Sequence, residues 1–198
     1  DIEWSTRLWE RDREAMSESL RIHDGIVRTA IESEGGTVFK TIGDAFCAVF
    51  ASAESAARAA AKAQQELARA AWTETGQLRV RMAVHCGEAE ARNNDFYGPT
   101  LNRVARLLAI GHGGQVLLSE TANLEASAFG ETNDLGFHRL KDLGEPVRVY
   151  QVPYPGMPEE FPPLASLRSE RHNLPVQASS FIGRETLLTE VATKLETS

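Results

Sequence analysis

A hairpin signal held between two helical patterns constrains this chain most. Thr37 to Lys40 reads as a short strand, Ile42-Gly43-Asp44 as a tight turn, and Ala45 to Phe50 as a second, apolar strand. Before it, a helical pattern with Ser5 as its candidate cap carries Met16, Leu20, Ile26, Val27, Ala30 and Ile31 on one face and stops at Gly35-Gly36. After it, Ser52 caps an Ala-rich helix that runs to about Ala71. Leu78 to Val84 then alternates as a strand that Gly87 to Ala91 extends, and a turn at Asn93-Asn94-Asp95 leads to Gly98-Pro99. Pro99 suits the first turn of a helix reaching Ile110, which Gly111-His112-Gly113-Gly114 breaks. Gln115 to Leu118 is a strand, Ser119 caps a short helix, and Phe137 to Leu140 pairs with Val147 to Val152. Helices and strands alternate, which admits both the α/β and the α+β class.

The chain has 198 residues, 42% of them hydrophobic, enough for one domain with a core and a short extension. Its formal net charge of −7 argues against direct nucleic-acid binding, since no basic stripe is present to release phosphate counterions. It leaves room for an anionic small substrate, because a few cations or bound metals dominate the field inside a cleft. Cys47 and Cys86 lie in separate apolar runs without Cys or His at metal-ligand spacing and read as buried, reduced thiols. That fits a cytoplasmic location. No apolar run approaches a membrane span, so no membrane contact is expected of this segment. The chain opens without Met in the middle of a motif, so a segment upstream is expected. Five of the eight prolines fall between Pro153 and Pro163, which marks residues 153–180 as a linker after a domain over 1–152.

Three clusters carry chemistry: Asp1-Ile2, Lys40-x-x-Gly43-Asp44, and Asp95-x-x-Gly98-x-x-x-Asn102-x-x-x-Arg106. Asp44 falls in the hairpin turn, so its side chain belongs at a sheet end. If Asp1 ends a strand beside that hairpin, two carboxylates converge. Paired carboxylates with no His or Cys nearby favour a hard cation, Mg²⁺ or Mn²⁺, shared with substrate phosphates. The helix start after Ser5 offers backbone N–H groups to such phosphates. Asn102 and Arg106 are four residues apart and share one helix face. Leu101, Val104, Ala105 and Leu108 form an apolar stripe on a neighbouring face, so Asn102 and Arg106 project into a cleft or toward a partner. A guanidinium there suits charge developing on a phosphoryl group. Lys40 donates hydrogen bonds and Asp95 accepts them, as reading the ring nitrogen and amino group of adenine requires. Singly, each residue has an ordinary role in a turn, a solvated strand or a helix surface; the spacing of the four in the third cluster carries the weight.

On these residues the chain resembles the class III adenylate/guanylate cyclase catalytic domain, from Asp1 to about Val152. The resemblance implies an α+β, ferredoxin-like fold, an antiparallel sheet with packed helices, here missing the first strand that normally precedes Asp1. It implies that Asp1 and Asp44, with the backbone carbonyl of Ile2, bind two divalent metal ions. Lys40 and Asp95 match the pair that selects adenine, so ATP rather than GTP is the implied substrate. Asn102 would position the ribose and Arg106 would stabilise the transition state. Phe46, Tyr97-Gly98 and His138-Arg139-Leu140-Lys141-Asp142 extend the match, with Lys141 approaching phosphate. In that family two domains pair head to tail, which implies a homodimer with shared active sites. Metals then come from one subunit, and Lys40, Asp95, Asn102 and Arg106 from the other.

Trp4 departs from the family, which usually carries Gly there to let backbone approach the phosphates. It keeps open an alternative reading, a weak or inactive cyclase-like module that dimerises and regulates. In the tail, Asn173-Leu174-Pro175 and Ser180-Phe181-Ile182-Gly183-Arg184-Glu185 resemble the lead-in to a signalling NTPase of the AAA-like, STAND type. Residues 181–198 would be the start of that domain in a bacterial multidomain regulator.

Overall fold

The computed structural model describes residues 1–93 and 95–166; the NTPase lead-in lies outside them. Asp12 divides the first helical pattern in two. α1 (Ser5–Arg11) ends there, and α2 (Arg13–Ser33) begins with the Asp12 side chain accepting from the Ala15 amide. Ser5 is therefore the first residue of α1 and not its cap; Trp4 fills the cap position in left-handed backbone, φ 63°, and makes no side-chain cap bond. Met16, Ser19, His23, Val27, Ala30 and Ile31 form the buried face of α2, recurring at the three- and four-residue spacing of one helix side. Leu20 and Ile26, expected on that face, are partly buried at its margins.

β1 (Thr37–Ile42) and β2 (Ala45–Val49) form the expected antiparallel hairpin, with Ile42 opposite Ala45 and Lys40 opposite Cys47. Gly43 takes φ 61° in its turn, where a Cβ would be strained. α3 (Ala53–Arg69) starts at Ser52, whose hydroxyl accepts from the Ser55 amide as the sequence predicts. β3 is only Met82–Val84; Leu78 and Val80 before it are buried, and Val80 makes a single antiparallel bridge to Ile2. Glu90–Arg92 does not extend β3 but forms β4, paired with β5 (Asp95–Tyr97) so that Arg92 faces Asp95. α4 (Pro99–Ile110) opens with Pro99 in its first turn, and Gly98 precedes it at φ 128°.

β6 (Val116–Ser119) is followed by α5 (Glu120–Glu125), capped by Ser119, and then by β7 (Asn133–His138) and β8 (Val147–Gln151). β7 starts earlier than the expected Phe137 and ends before Leu140, which is buried in the loop that follows. The main sheet has the order β3-β6-β8-β7. It is mixed and not wholly antiparallel: β3 and β6 are parallel, while β6·β8 and β8·β7 are antiparallel. The connection through α4 is the reason, since a helical crossover returns the chain in the same direction. Every residue of β6 is buried because both faces are covered. Val116 and Leu118 pack with α3 and α5, whereas Leu117 packs with Leu107 and Ile110 of α4.

Residues 153–166 contain no helix or strand and lie against this core. The Tyr154 hydroxyl donates to the Gly114 carbonyl at 2.6 Å, the Ala165 amide donates to the Ile110 carbonyl at 2.9 Å, and Leu164 packs against the α4 cluster. Among the described residues no helix is long and apolar enough to cross a membrane.

Candidate active site

The hairpin turn delivers Asp44 to the start of the chain. The Asp1 nitrogen donates to the Arg81 carbonyl (3.0 Å), the Arg81 amide to the Asp1 carbonyl (2.8 Å) and the Glu3 amide to the Arg79 carbonyl (2.8 Å). In antiparallel pairing a residue's N–H and C=O point to one side, and the side alternates along the chain. Ile2 therefore turns both groups away from Val80 and toward the hairpin. Its N–H donates to Asp44 Oδ2 at 2.9 Å, while its C=O accepts no bond among the described residues. Asp1, Ile2 and Asp44 thus meet at one sheet edge, although 42 positions separate Ile2 from Asp44.

If the Asp1 and Asp44 carboxylates share a cation with the Ile2 carbonyl, the donor set is all hard oxygen, which fits Mg²⁺ or Mn²⁺. Among the described residues no three His, Cys, Asp or Glu side chains converge. A cation here would complete its shell with substrate oxygens and water. Arg81, which the sequence reading did not single out, grips Asp1: Nη2 lies 2.7 Å from Oδ1 and 2.9 Å from Oδ2. Arg81 Nε also donates to Oδ1, at 3.0 Å, so Oδ1 accepts two bonds and Oδ2 one; the contact fixes the orientation of Asp1 and leaves acceptor capacity on Oδ2. Only the alternation of Arg79 and Arg81 with Leu78 and Val80 hinted at an outward cation, and nothing local named its partner.

Lys40 and Asp95 also meet. Lys40 Nζ lies 2.5 Å from Asp95 Oδ2, and the Phe96 amide donates to Asp95 Oδ1 at 2.8 Å. The hydrogen bond from Lys40, with that from the Phe96 amide, lowers the Asp95 carboxyl below its ordinary range, and the bond to Asp95 raises the Lys40 ammonium. Both are charged at neutral pH. β1 and β5 are held together beside them by Phe39 and Phe96, whose rings meet edge-on with centroids 4.9 Å apart.

Asn102 and Arg106 lie one turn apart on α4, Asn102 exposed and Arg106 partly so. The buried side of that helix is Leu107 and Ile110; Ala105, expected in the apolar stripe, is exposed. α4 is seated on Leu117, Leu140 and Val149 through Leu107 and Ile110, which turns Ala105 outward. Arg106 Nη2 binds Asp142 Oδ2 at 2.6 Å. Among the described residues no contact joins Asn102 or Arg106 to Asp1 or Asp44. Trp4 stands 58% exposed beside Asp1–Ile2, with the Arg7 guanidinium 4.5 Å above its ring.

A mixed four-stranded sheet with helices on both faces stands beside a separate hairpin that carries Asp44. Residues 1–148 match the family described as the adenylate and guanylate cyclase catalytic domain, and the chain belongs to that family. The uncharacterized protein Rv0891c of Mycobacterium tuberculosis is 38% identical over 193 residues, a match covering 93% of this chain and 65% of that protein. The chain therefore spans just under two thirds of that relative's length. The receptor-type adenylate cyclase GRESAG 4.2 of Trypanosoma brucei brucei is 30% identical over 200 residues, 77% of this chain and 35% of that protein. Among solved structures, an adenylate cyclase of Trypanosoma brucei in its monomeric state superposes with a TM-score of 0.77 at 26% identity, over 85% of this chain and 92% of that one. The α+β fold is that of these cyclase domains.

Proposed function

We propose that the chain is the catalytic domain of a cytoplasmic adenylate cyclase that converts ATP to 3′,5′-cyclic AMP and pyrophosphate. The meeting of Asp44 with Asp1 and Ile2 carries this reading, and the Lys40–Asp95 pair supports adenine as the base. Adenine presents an acceptor at N1 and a donor at its amino group, so an ammonium and a carboxylate side by side complement it. Guanine presents the reverse at the same edge and leaves both groups unmatched. Two divalent cations held by Asp1, Asp44 and the Ile2 carbonyl would lower the pKa of the ribose 3′-hydroxyl and neutralise the leaving pyrophosphate. Arg81 keeps the Asp1 carboxylate oriented for that task. Asn102 positions the ribose, and Arg106 meets the negative charge that grows on the α-phosphoryl group. The 3′-hydroxyl gives up its proton to water, its oxygen bonds to the α-phosphorus, and the bond to the bridging oxygen breaks to release pyrophosphate, with no covalent enzyme intermediate.

Among the described residues no contact joins Asn102 or Arg106 to Asp1 or Asp44, which supports a homodimer whose copies complete each other's sites. Asp44→Ala and Arg106→Ala chains, each inactive alone, should recover up to about a quarter of wild-type cyclic AMP formation when mixed as confirmed dimers. Mixed dimers without product, from a wild type that is active, would refute the shared site. A wild type that binds ATP without turnover would favour the second reading, a regulatory dimerisation module; the exposed Trp4 at the entrance speaks for it. The motif from Ser180 to Glu185 supports a STAND-type NTPase beginning at 181–198, joined to the domain, 1–152, by the segment 153–180.

A further inference from the structure

Arg106 is already occupied by an anion of its own chain. Its Nη2 lies 2.6 Å from Asp142 Oδ2, and among the described residues neither side chain has another ionic partner. The contact is built in from both ends. Leu107, next to Arg106, and Leu140 and Leu143, on either side of Asp142, belong to one apolar cluster. The β7–β8 loop is thereby anchored around the carboxylate, and α4 is anchored beside the guanidinium. Asp142 has φ 63°, a left-handed backbone that non-glycine residues adopt at a cost and that clusters at functional sites. Both partners remain substantially exposed, at 40% for Arg106 and 60% for Asp142. An exposed pair of this kind is weak and exchangeable.

We propose that Asp142 is an internal counter-ion that holds Arg106 in the nucleotide-free chain and competes with the substrate's phosphate for it. The inference rests on the reading of Arg106 as a phosphate-facing group. The triphosphate as a whole carries more charge than one carboxylate and offers several acceptor oxygens, so it displaces Asp142, and the displacement lowers net affinity. Asp142 thus sets how much nucleotide is needed to fill the site. It also keeps the cation oriented while the site is empty.

The test is binding of 3′-deoxy-ATP, which lacks the attacking hydroxyl, to the full chain by calorimetry. Asp142→Asn keeps the side-chain volume and tolerates the left-handed backbone; Asp142→Gly suits it outright. Both variants should bind about two- to fivefold more tightly than wild type. In an Arg106→Ala background, Asp142→Asn should change nothing. Equal or weaker binding by both Asp142 variants, with Arg106→Ala weaker than wild type, overturns the counter-ion and leaves the site reading standing. So does the same tightening with and without Arg106, since it would come from the general field. If Arg106→Ala leaves binding and turnover unchanged, the role assigned to Arg106 and this inference fall together.

Discussion

Lys40 and Asp95 show what single side chains contribute to the proposed site. They touch at 2.5 Å across 55 positions of chain, and each holds the other charged. Removing the ammonium should weaken the reading of adenine N1 without affecting the apparatus around the phosphates. Lys40→Ala is expected to lower kcat/KM for ATP relative to GTP by roughly tenfold, about one lost charge-assisted hydrogen bond. The ratio of the two kcat/KM values checks this; an unchanged ratio would remove the pair from base selection. These two residues, with Asp1, Asp44, Asn102 and Arg106, could be proposed from the sequence because the fixed spacing of residue types resembles a known family. Arg81 and Asp142 could not. Their importance lies in ion pairs to residues 80 and 36 positions away, and local sequence holds no trace of such partners.

At the scale of elements, the hairpin and α3 could be read in advance because their determinants are local: Gly43 at φ 61°, and Ser52 accepting from Ser55. The division of α1 from α2 was missed because Asp12 in a helical pattern looks like a surface residue until its carboxylate is seen on the Ala15 amide. α2 also buries two polar side chains that a hydrophobic pattern overlooks. Ser19 reaches the Thr73 and Thr75 hydroxyls, and His23 Nδ1 meets Asp24 Oδ1 at 2.8 Å while its ring lies 5.9 Å from that of Phe46. Burial pushes the His23 pKa below its ordinary value; the Asp24 contact, and more weakly the charge of Asp44, oppose this. The unfolded chain protonates His near 6.5, so between that value and the lower folded one the unfolded state binds more protons. Stability therefore falls as pH drops through this window, by at most about 1.4 kcal/mol per pH unit from this residue. Urea midpoints from pH 8 to 5 should decline for wild type, and His23→Gln should flatten part of the decline despite a lower midpoint at neutral pH. Parallel profiles would show that His23 takes no part.

At the scale of the whole molecule, the short apolar run before Ser119 was read only as a strand, and its burial on both faces is a finding of the structure. Strand order likewise depends on crossovers that periodicity does not encode. The proline-rich segment after β8 is the larger lesson, because composition suggests a spacer and packing shows a strap. Prolines prevent helix and strand but not burial. Tyr154 belongs to the apolar cluster that holds Ala57, Val116 and Val152, and its hydroxyl donates to the carbonyl of Gly114, whose φ of 95° marks a sharp turn before β6. Burial raises the Tyr154 pKa, so the phenol stays a donor to that carbonyl at neutral pH. The same strap meets the end of α4 at Ile110 and His112, through Ala165 and Pro163. The last turn of the helix that carries Asn102 and Arg106 is thus held by chain lying after β8. Tyr154→Ala should then act as a core truncation and not as a change in a spacer, costing about 3 kcal/mol. Tyr154→Phe should cost only about 1 kcal/mol, the lost hydrogen bond. Urea unfolding of the two variants measures both. If Tyr154→Ala unfolds like wild type, the strap contributes nothing to the domain, and the end of α4 is secured from within the sheet alone.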